Sequence, residues 1–151
     1  MNFEIVLSKA PEDISAVHDA LYEYNLSKTG HQRVAVTAKL LETTEAFIVR
    51  GDDGNTYGGV VWHQLPDKEN EIFVDYLYLS DALRGSGKGR ELIEAMEKYV
   101  KSCGIKTVKV TTNSFQAPKF YPAVGYKEIG SVAAPCPLVP DNLHFTYSKE
   151  L

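Results

Sequence analysis

Apolar and polar positions follow their clearest pattern between residues 72 and 103. Almost every residue from 72 to 79 is apolar or aromatic, which predicts a strand that is largely buried on both faces. After residue 88 the apolar side chains recur with the period of an amphipathic helix, whose apolar face carries Leu92, Met96, Tyr99 and Cys103. A glycine-rich segment, residues 84–89 (the glycine turn), joins the two elements. We expect the rest of the chain to be arranged around this strand, turn and helix.

The segments on either side predict further strands and helices. Pro11 suits the first turn of a helix, and Gly30 closes that helix. Residues 31–43 resemble a strand at their start and a helix at their end, so both structures stay open for them. The other predicted strands cover residues 2–7, 46–50, 57–65, 106–112, 126–132 and 144–148.

The connections between these elements predict the architecture. Residues 51–55 are rich in Gly, Asp and Asn, which indicates an antiparallel hairpin. Strand 106–112 follows the central strand after one helix, which requires a parallel, right-handed crossover. A short helix over 115–121, capped by Asn113 or Ser114, comes next. We therefore expect a mixed α/β sheet of about six or seven strands with helices on both faces.

The glycine turn has the composition of an anion site. Glycines let successive backbone N–H groups point to one place, and the following helix adds its unpaired amides and dipole. A Walker A loop would need Gly at 82 and Ser or Thr at 89, where the chain has Ala82 and Gly89. A dinucleotide motif starting at Gly85 would need another glycine where Arg90 stands. The turn therefore either binds the phosphate of another kind of ligand or is an ordinary strand-to-helix connection.

Composition restricts the partners and the compartment. The net charge of −4 and the lack of any Lys and Arg cluster argue against nucleic acid. No apolar run reaches membrane-spanning length and no signal peptide is evident, so we expect one cytoplasmic domain over residues 1–151. Cys103 is expected in the core. The contexts of Cys103 and Cys136 do not suggest a disulfide between them, and their spacing to the histidines is not that of a metal site.

Two motifs resemble the signatures of the GNAT superfamily of N-acetyltransferases. The first is Arg84-x-x-Gly-x-Gly, placed between an apolar strand and a helix. The second combines an asparagine after a strand, a small residue, a Phe-Tyr pair and a glycine, here Asn113, Ala117, Phe120, Tyr121 and Gly125. One helix and one strand separate the motifs, and the predicted order of elements is similar to the family over nearly the whole chain. The resemblance implies the GNAT fold.

That resemblance implies acetyl-CoA as the co-substrate and an amine as the acceptor. The glycine turn would receive the pyrophosphate. The backbone of the central strand, where it separates from its neighbour at a bulge, would pair with the pantetheine arm. The implied cofactor-binding residues are Leu77, Tyr78, Leu79, Arg84, Gly85, Ser86, Gly87, Lys88, Gly89, Arg90, Asn113, Lys119 and Tyr121.

The resemblance also implies catalytic roles. Tyr121 matches the residue that gives a proton to the departing thiolate. The base that deprotonates the amine is often a carboxylate on the central strand in this family, here Asp75 or Glu71, which share a face unless a bulge changes the register. Each residue also has a simpler interpretation: core packing for Tyr121, a helix cap for Asn113 and an ion pair for Asp75.

No motif names the acceptor. His63, His144, Tyr22 and Asn25 are candidates for the acceptor pocket, and carboxylates on the central strand favour a small cationic amine. A protein or peptide acceptor is an alternative, as is a catalytically silent acyl-CoA-binding module that acts as a sensor or interaction domain. Dimers are common in the family, so a homodimer is compatible with the resemblance.

Overall fold

A computed structural model describes residues 1–30, 40–116 and 118–151, which form a seven-stranded mixed sheet. Its strands are β1 (Phe3–Ser8), β2 (Glu45–Gly51), β3 (Thr56–Gln64), β4 (Glu71–Leu79), β5 (Thr107–Asn113), β6 (Lys127–Ala133) and β7 (Leu143–Glu150). The order across the sheet is β1-β2-β3-β4-β5-β7-β6, and only the β4–β5 pair is parallel. The predicted mixed α/β architecture and its parallel crossover are confirmed.

Two long helices cover opposite faces of the sheet. Helix α1 (Pro11–Thr29) ends at Gly30, whose φ of 71° lies in the left-handed region. Helix α2 (Lys88–Ser102) follows the glycine turn. Side chains of β2 alternate between them: Ile48 packs in the cluster that contains residues of α1, and Val49 packs in the larger cluster with Leu92, Ile93 and Met96 of α2. No helix in the described parts of the chain is long and apolar enough to cross a membrane.

β4 and β5 pair only along the first half of β4. Their register ends at Val74, which lies opposite Val110. On its other side β4 stays paired with β3 as far as Leu79. Residues 75–79 are only partly buried, so the prediction that this strand is buried on both faces is wrong for its second half. The exposure arises because β4 and β5 separate and leave an opening between them.

A bulge interrupts β4 at the start of this opening. Val74 lies opposite Trp62, whereas Tyr76 lies opposite the preceding β3 residue, Val61. Asp75 is therefore the extra residue of the bulge. Bulges change the direction of a side chain, and this one lies next to Val74, where the β4–β5 pairing ends.

Helix α2 ends through a glycine, as the sequence predicts. Gly104 has a φ of 92°, and its N–H donates to Lys101 O at 3.1 Å. The N–H of Ile105 then donates to Val100 O, and Ile105 is 5% exposed. Cys103 is exposed, so its predicted place in the core is wrong. The helix has already ended at Ser102, and Ile105 fills the core instead.

The short helix predicted over 115–121 is also wrong in extent. Helix α3 covers only Phe120–Ala123, and no side chain caps it. Proline at 118 disfavours a helix through this point. Asn113 and Ser114 instead bond to the segment before β7. Ala117 and residues 31–39 lie outside the described residues. Most of segment 31–43, for which the sequence left strand and helix open, therefore lies outside them too. Its residues 40–43 are described and form no helix or strand.

Two adjacent glycines let β3 approach its neighbours closely. A Cβ at Gly58, whose φ is 154°, would overlap the carbonyl oxygen of Tyr78. A Cβ at Gly59 would lie 2.8 Å from Phe47 O and 3.0 Å from the Val17 side chain of α1. The approach of β3 to β4 therefore depends on the absence of a side chain at Gly58, and its approach to β2 and α1 on the absence of one at Gly59.

We expect Gly58→Ala to lower the free energy of unfolding by about 2 kcal/mol or more, because it adds backbone strain and a steric clash. Gly130→Ala on β6 is the matched control, since a Cβ there meets no atom within 4 Å. Its effect should stay within about 0.5 kcal/mol. Urea denaturation measures both. Equal stability of the two variants would contradict this account of β3.

Candidate active site

A cleft of about 720 Å³ opens where β4 and β5 separate. Its walls come from α1, β4, the glycine turn, β5, α3 and the start of β7. Of the residues predicted to bind the cofactor, those that line the cleft are Leu77, Tyr78, Leu79, Arg84, Gly85, Gly87, Gly89, Arg90, Asn113 and Tyr121. Ser86, Lys88 and Lys119 are not among its lining residues.

The cleft reaches both faces of the sheet. Tyr121 packs in the cluster that contains the apolar residues of α2. Tyr147 of β7 belongs to the same cluster, so His144, three residues before it, lies on the α1 face by alternation. Asp75 also lies on the α1 face, because it contacts His63, which follows the α2-facing Trp62. Ligands on opposite faces can therefore meet inside the cleft.

Backbone amides converge at one end of the cleft. Gly85 and Gly87 have φ values of 77° and 85°, and a Cβ at either position would meet no atom within 4 Å. No side chain caps α2, and its first intrahelical bond runs from Glu91 N to Gly87 O. The amides of the first turn thus have no acceptor within the helix. Of these amides, only the N–H of Lys88 has a side-chain acceptor in the described residues, Ser86 Oγ at 3.4 Å, so the glycine geometry and the helix start would suit an anion.

Two guanidinium groups flank these amides. Arg84 donates from Nε to Leu79 O at 3.3 Å, and its guanidinium lies 4.7 Å from the ring centroid of Tyr24 on α1. Arg90 donates to Ala123 O at 3.2 Å. Lys88 pairs with Glu91 at 2.9 Å, and it does not line the cleft. Arg84 and Arg90 are ion-paired too, with Asp81 at 3.2 Å and Glu94 at 3.9 Å, but unlike Lys88 they line the cleft.

A polar network joins three walls of the cleft through Gln116. Its Oε1 accepts the backbone N–H of Asn113 at 2.8 Å and also the side-chain amide of Asn113 at 3.2 Å. Its Nε2 donates to Oδ1 of Asn25 on α1 at 3.0 Å. At the far end, Asn142 Oδ1 accepts the backbone N–H of Ser114, so the Asn142 amide donates to Asn113 Oδ1. Backbone donors at both ends thus determine which way every amide points.

This network also determines the tautomer of His144. Its Nδ1 lies 3.1 Å from Asn113 Oδ1, a carbonyl oxygen that can only accept. The proton of neutral His144 is therefore on Nδ1, and Nε2 is an acceptor. Since His144 lines the cleft, the site contains an oriented imidazole on its α1 face.

Tyr121 is buried within an aromatic cluster. It is 5% exposed and its ring lies 5.7 Å from those of Tyr126 and Tyr147. Burial raises the pKa of the Tyr121 phenol, which therefore stays protonated at neutral pH. No described residue forms a hydrogen bond with its hydroxyl, whereas Tyr147 donates to Pro118 O at 2.9 Å. The Tyr121 hydroxyl is thus a hydrogen-bond donor that lines the cleft and has no partner among the described residues.

Asp75 and His63 form a pair at the bulge of β4. Oδ2 of Asp75 is 2.8 Å from Nδ1 of His63, and the two side chains are 22% and 16% exposed. Burial raises the pKa of Asp75, while the hydrogen bond and charge of His63 oppose that rise. The cleft therefore contains a partly buried carboxylate that gains a proton more readily than an exposed aspartate does.

Glu71 does not reach the cleft. It shares a face of β4 with Asp75, as predicted, but it lies at the opposite end of the strand and is not among the cleft residues. Lys109 and Lys68 pair with its carboxylate at 3.3 and 3.4 Å. The ion pairs with these two lysines explain why a carboxylate is buried at this position.

Of the four residues suggested for the acceptor pocket, two line the cleft and two do not. Asn25 and His144 line the cleft, while His63 lies behind Asp75 and Tyr22 is not a lining residue. Sequence analysis missed Tyr24 and Gln116. Tyr24 is one residue from Asn25 on the same helix, and Gln116 lies inside the second motif, at a position that the motif leaves unspecified. Among the described residues, no group of His, Cys, Asp and Glu side chains is arranged to hold a metal ion.

Comparison with known proteins gives the family. Residues 12–126 match the acetyltransferase (GNAT) family model, and this range contains both motifs. The chain is 27% identical over 132 residues to acetyltransferase Atu2258 of Agrobacterium fabrum, which covers 87% of this chain and 88% of that protein. It is 35% identical over 83 residues to blasticidin-S acetyltransferase of Streptomyces morookaense, or 54% of this chain and 59% of that protein.

Solved structures share the fold. An acetyltransferase from Bacillus cereus superposes with a TM-score of 0.63 over 90% of this chain and 89% of its own, at 24% identity. A Bacillus anthracis protein designated a streptothricin acetyltransferase, in complex with acetyl coenzyme A, gives 0.61 over 74% and 64%, at 16% identity. The family match, both motifs and the shared fold agree, and the chain belongs to the acetyltransferase (GNAT) family.

Proposed function

We propose that the protein transfers the acetyl group of acetyl-CoA to the primary amine of a small cationic acceptor. The main support is one continuous cleft that joins an uncapped helix start to a partly buried carboxylate on the α1 face of the sheet. The first end suits a polyanionic ligand and the second suits a cation. An acyl transfer from a coenzyme A thioester to an amine needs both.

The described residues fit acetyl-CoA in two respects. The amides after Gly87, with Arg84 and Arg90, supply donors and positive charge for a pyrophosphate. The β5 side of Leu77–Leu79 has no partner strand, because the β4–β5 register ends before it, so its backbone can pair with an extended amide arm. When bound, acetyl-CoA supplies the activated acetyl group.

The acceptor side supports a small cationic amine. Asp75 is a carboxylate within the cleft and would attract a protonated amine. Tyr24 and Tyr78 line the same cleft, but the Arg84 guanidinium already lies 4.7 and 5.9 Å from their ring centroids, so the attraction of a cation rests on Asp75. Two similar proteins, blasticidin-S acetyltransferase and the designated streptothricin acetyltransferase, are named for single compounds, which supports a small molecule over a protein tail.

Proton transfers assign roles to Asp75 and Tyr121. A protonated amine has no lone pair, so Asp75 would accept one proton, directly or through water, before attack. The amine nitrogen then bonds to the carbonyl carbon and the carbon–sulfur bond breaks. Tyr121 would donate its hydroxyl proton to the departing thiolate and recover a proton from the nitrogen that has become an amide. Asp75 finally releases its proton to solvent.

The test is release of free thiol from acetyl-CoA with a panel of polyamines, amino sugars and amino acids. We expect thiol release that requires the amine, and mass spectrometry should find one acetyl group on that amine. Binding of acetyl-CoA without turnover of any amine would favour a silent binding module. Acetylation of peptides alone would favour a protein or peptide acceptor.

We expect Gly87→Ala to abolish the rise in thermal midpoint that acetyl-CoA produces in the wild type, because a Cβ would occupy the phosphate position. Gly104→Ala at the other end of α2 is the matched control. Its φ is 92° and its Cβ also meets open space, so both variants have a similar backbone strain of about 1–2 kcal/mol. A full ligand-induced shift in Gly87→Ala would mean that the phosphate lies elsewhere.

Tyr121→Phe should reduce turnover about ten- to a thousandfold with little change in stability, because it removes a proton donor that has no partner among the described residues. Tyr147→Phe should lower stability and leave turnover nearly unchanged. It deletes a hydrogen bond to Pro118 O and should lower the free energy of unfolding by about 1 kcal/mol without comparable loss of turnover. Steady-state kinetics and urea denaturation of both variants separate chemistry from packing. Wild-type turnover in Tyr121→Phe would leave water as the donor.

Asp75→Asn should lower turnover of cationic amines and yet stabilise the fold at neutral pH. Burial raises the pKa of Asp75 above its usual 3.8, so its contribution to stability is complete below that value and is lost as pH rises through the folded-state pKa. The neutral amide has no such loss. The stability difference between variant and wild type should therefore grow from about pH 4 to about pH 7 in urea denaturation. A difference that is constant with pH would contradict the buried charge.

A further inference from the structure

His63 has no part in the proton transfers described above, although it is only 16% exposed and contacts a residue of the cleft. Its ring lies between β3 and β4, with the centroid 6.1 Å from that of Phe73. Its Nδ1 is 2.8 Å from Oδ2 of Asp75. This hydrogen bond is the only one that the Asp75 side chain forms with the described residues.

The chemistry of the pair determines the direction of this bond. An ionised carboxylate can only accept, so Nδ1 of His63 must be the donor. Asp75 lines the cleft, and His63 does not. His63 therefore binds the carboxylate from behind through Oδ2, and Oδ1, which has no partner among the described residues, is available to a ligand.

The bulge of β4 makes this arrangement possible. His63 lies opposite Phe73, and Asp75 is two residues further along β4, which makes them diagonal neighbours across the two strands. The extra residue places Asp75 beside the opening between β4 and β5 while the β3–β4 pairing continues on both sides. The same carboxylate can thus reach the cleft and a residue of β3.

Burial and His63 act on the charge of Asp75 in opposite directions. Burial favours its neutral form, and the hydrogen bond and charge of His63 oppose burial. The other titratable and charged side chains that line the cleft are Tyr24 of α1, Tyr76 and Tyr78 of β4, Arg84 and Arg90 of the cofactor end, Tyr121 of α3 and His144 of β7. Outside the lining, His18 of α1 packs on Tyr76 with ring centroids 5.1 Å apart, and Lys109 of β5 lies opposite Phe73. Lys109 is already paired with Glu71, and Arg84 with Asp81.

We propose that His63 is the positioning residue of the catalytic carboxylate: its Nδ1–H holds Oδ2 of Asp75, keeps the buried group ionised and leaves Oδ1 to bind and deprotonate the amine. This inference rests on the proposed function, in which Asp75 is the base. His63 does not touch either substrate. Its effect is on the pH range in which Asp75 can accept a proton.

Two variants of His63 test the proposal. His63→Phe keeps an aromatic ring against Phe73 but removes the donor. His63→Asn keeps a donor close to the position of Nδ1. We expect His63→Phe to lower kcat/KM for a cationic amine about tenfold or more near pH 7, with partial recovery near pH 9, because the acid limb of the profile moves to higher pH. His63→Asn should keep the wild-type profile. An unchanged profile in His63→Phe, or an equal loss in His63→Asn, would overturn the proposal.

A second readout does not depend on turnover. Carbon-detected NMR follows the titration of the Asp75 carboxyl in protein without ligands, with Asp75→Asn identifying the signal. We expect a higher titration midpoint in His63→Phe than in the wild type and in His63→Asn. Equal midpoints would overturn the proposal even if activity fell. If the wild type acetylates no amine, the proposed function fails, and this titration still decides whether His63 controls the charge of Asp75.

Discussion

The end of the parallel pairing between β4 and β5, at Val74 and Val110, is the constraint on which the rest of the site depends. Backbone groups without partners are costly in a closed core, so a sheet that stops pairing must open to solvent or to a ligand at that point. Here the opening produces the cleft and the free edge of β4, and it begins beside the bulge that directs Asp75. The other sheet contacts compensate: β3 holds β4 along its length, and β7 holds β5.

Charge is distributed along the cleft in a way that would suit two unlike ligands. Donors and cations are concentrated at the start of α2, and a single carboxylate lies on the opposite face of the sheet. Each charged group also has a partner in the protein, Asp81 for Arg84 and His63 for Asp75. A buried carboxylate with only one partner reduces stability, and proteins retain such groups where function requires them. Asp75 fits that description better than Glu71, which two lysines neutralise.

Local features of the fold could be predicted from the sequence, and non-local ones could not. The hairpin at 51–55, the glycine at the end of α2 and the uncapped start of that helix each depend on a few adjacent residues, so composition was sufficient. The bond between Gln116 and Asn25 joins residues 91 positions apart, and nothing in either neighbourhood indicates it. The pairing of His63 with Asp75 requires the β3–β4 register and the bulge, which no short pattern encodes. Cys103 was misplaced because helical periodicity continues in the sequence for one residue after the helix has ended.

Because the cleft passes through the sheet, its two ends affect the order in which substrates bind and products leave. Two ligands that approach from opposite faces do not block each other, so both can be present at once, and neither product must leave before the second substrate arrives. A shuttle mechanism through a cysteine would instead need a thiol in the cleft to hold the acetyl group between two half-reactions. Neither cysteine lines the cleft: Cys103 is exposed after the end of α2, and Cys136 lies in the segment before β7. The architecture thus favours a ternary complex, with reciprocal rate plots that intersect rather than run parallel.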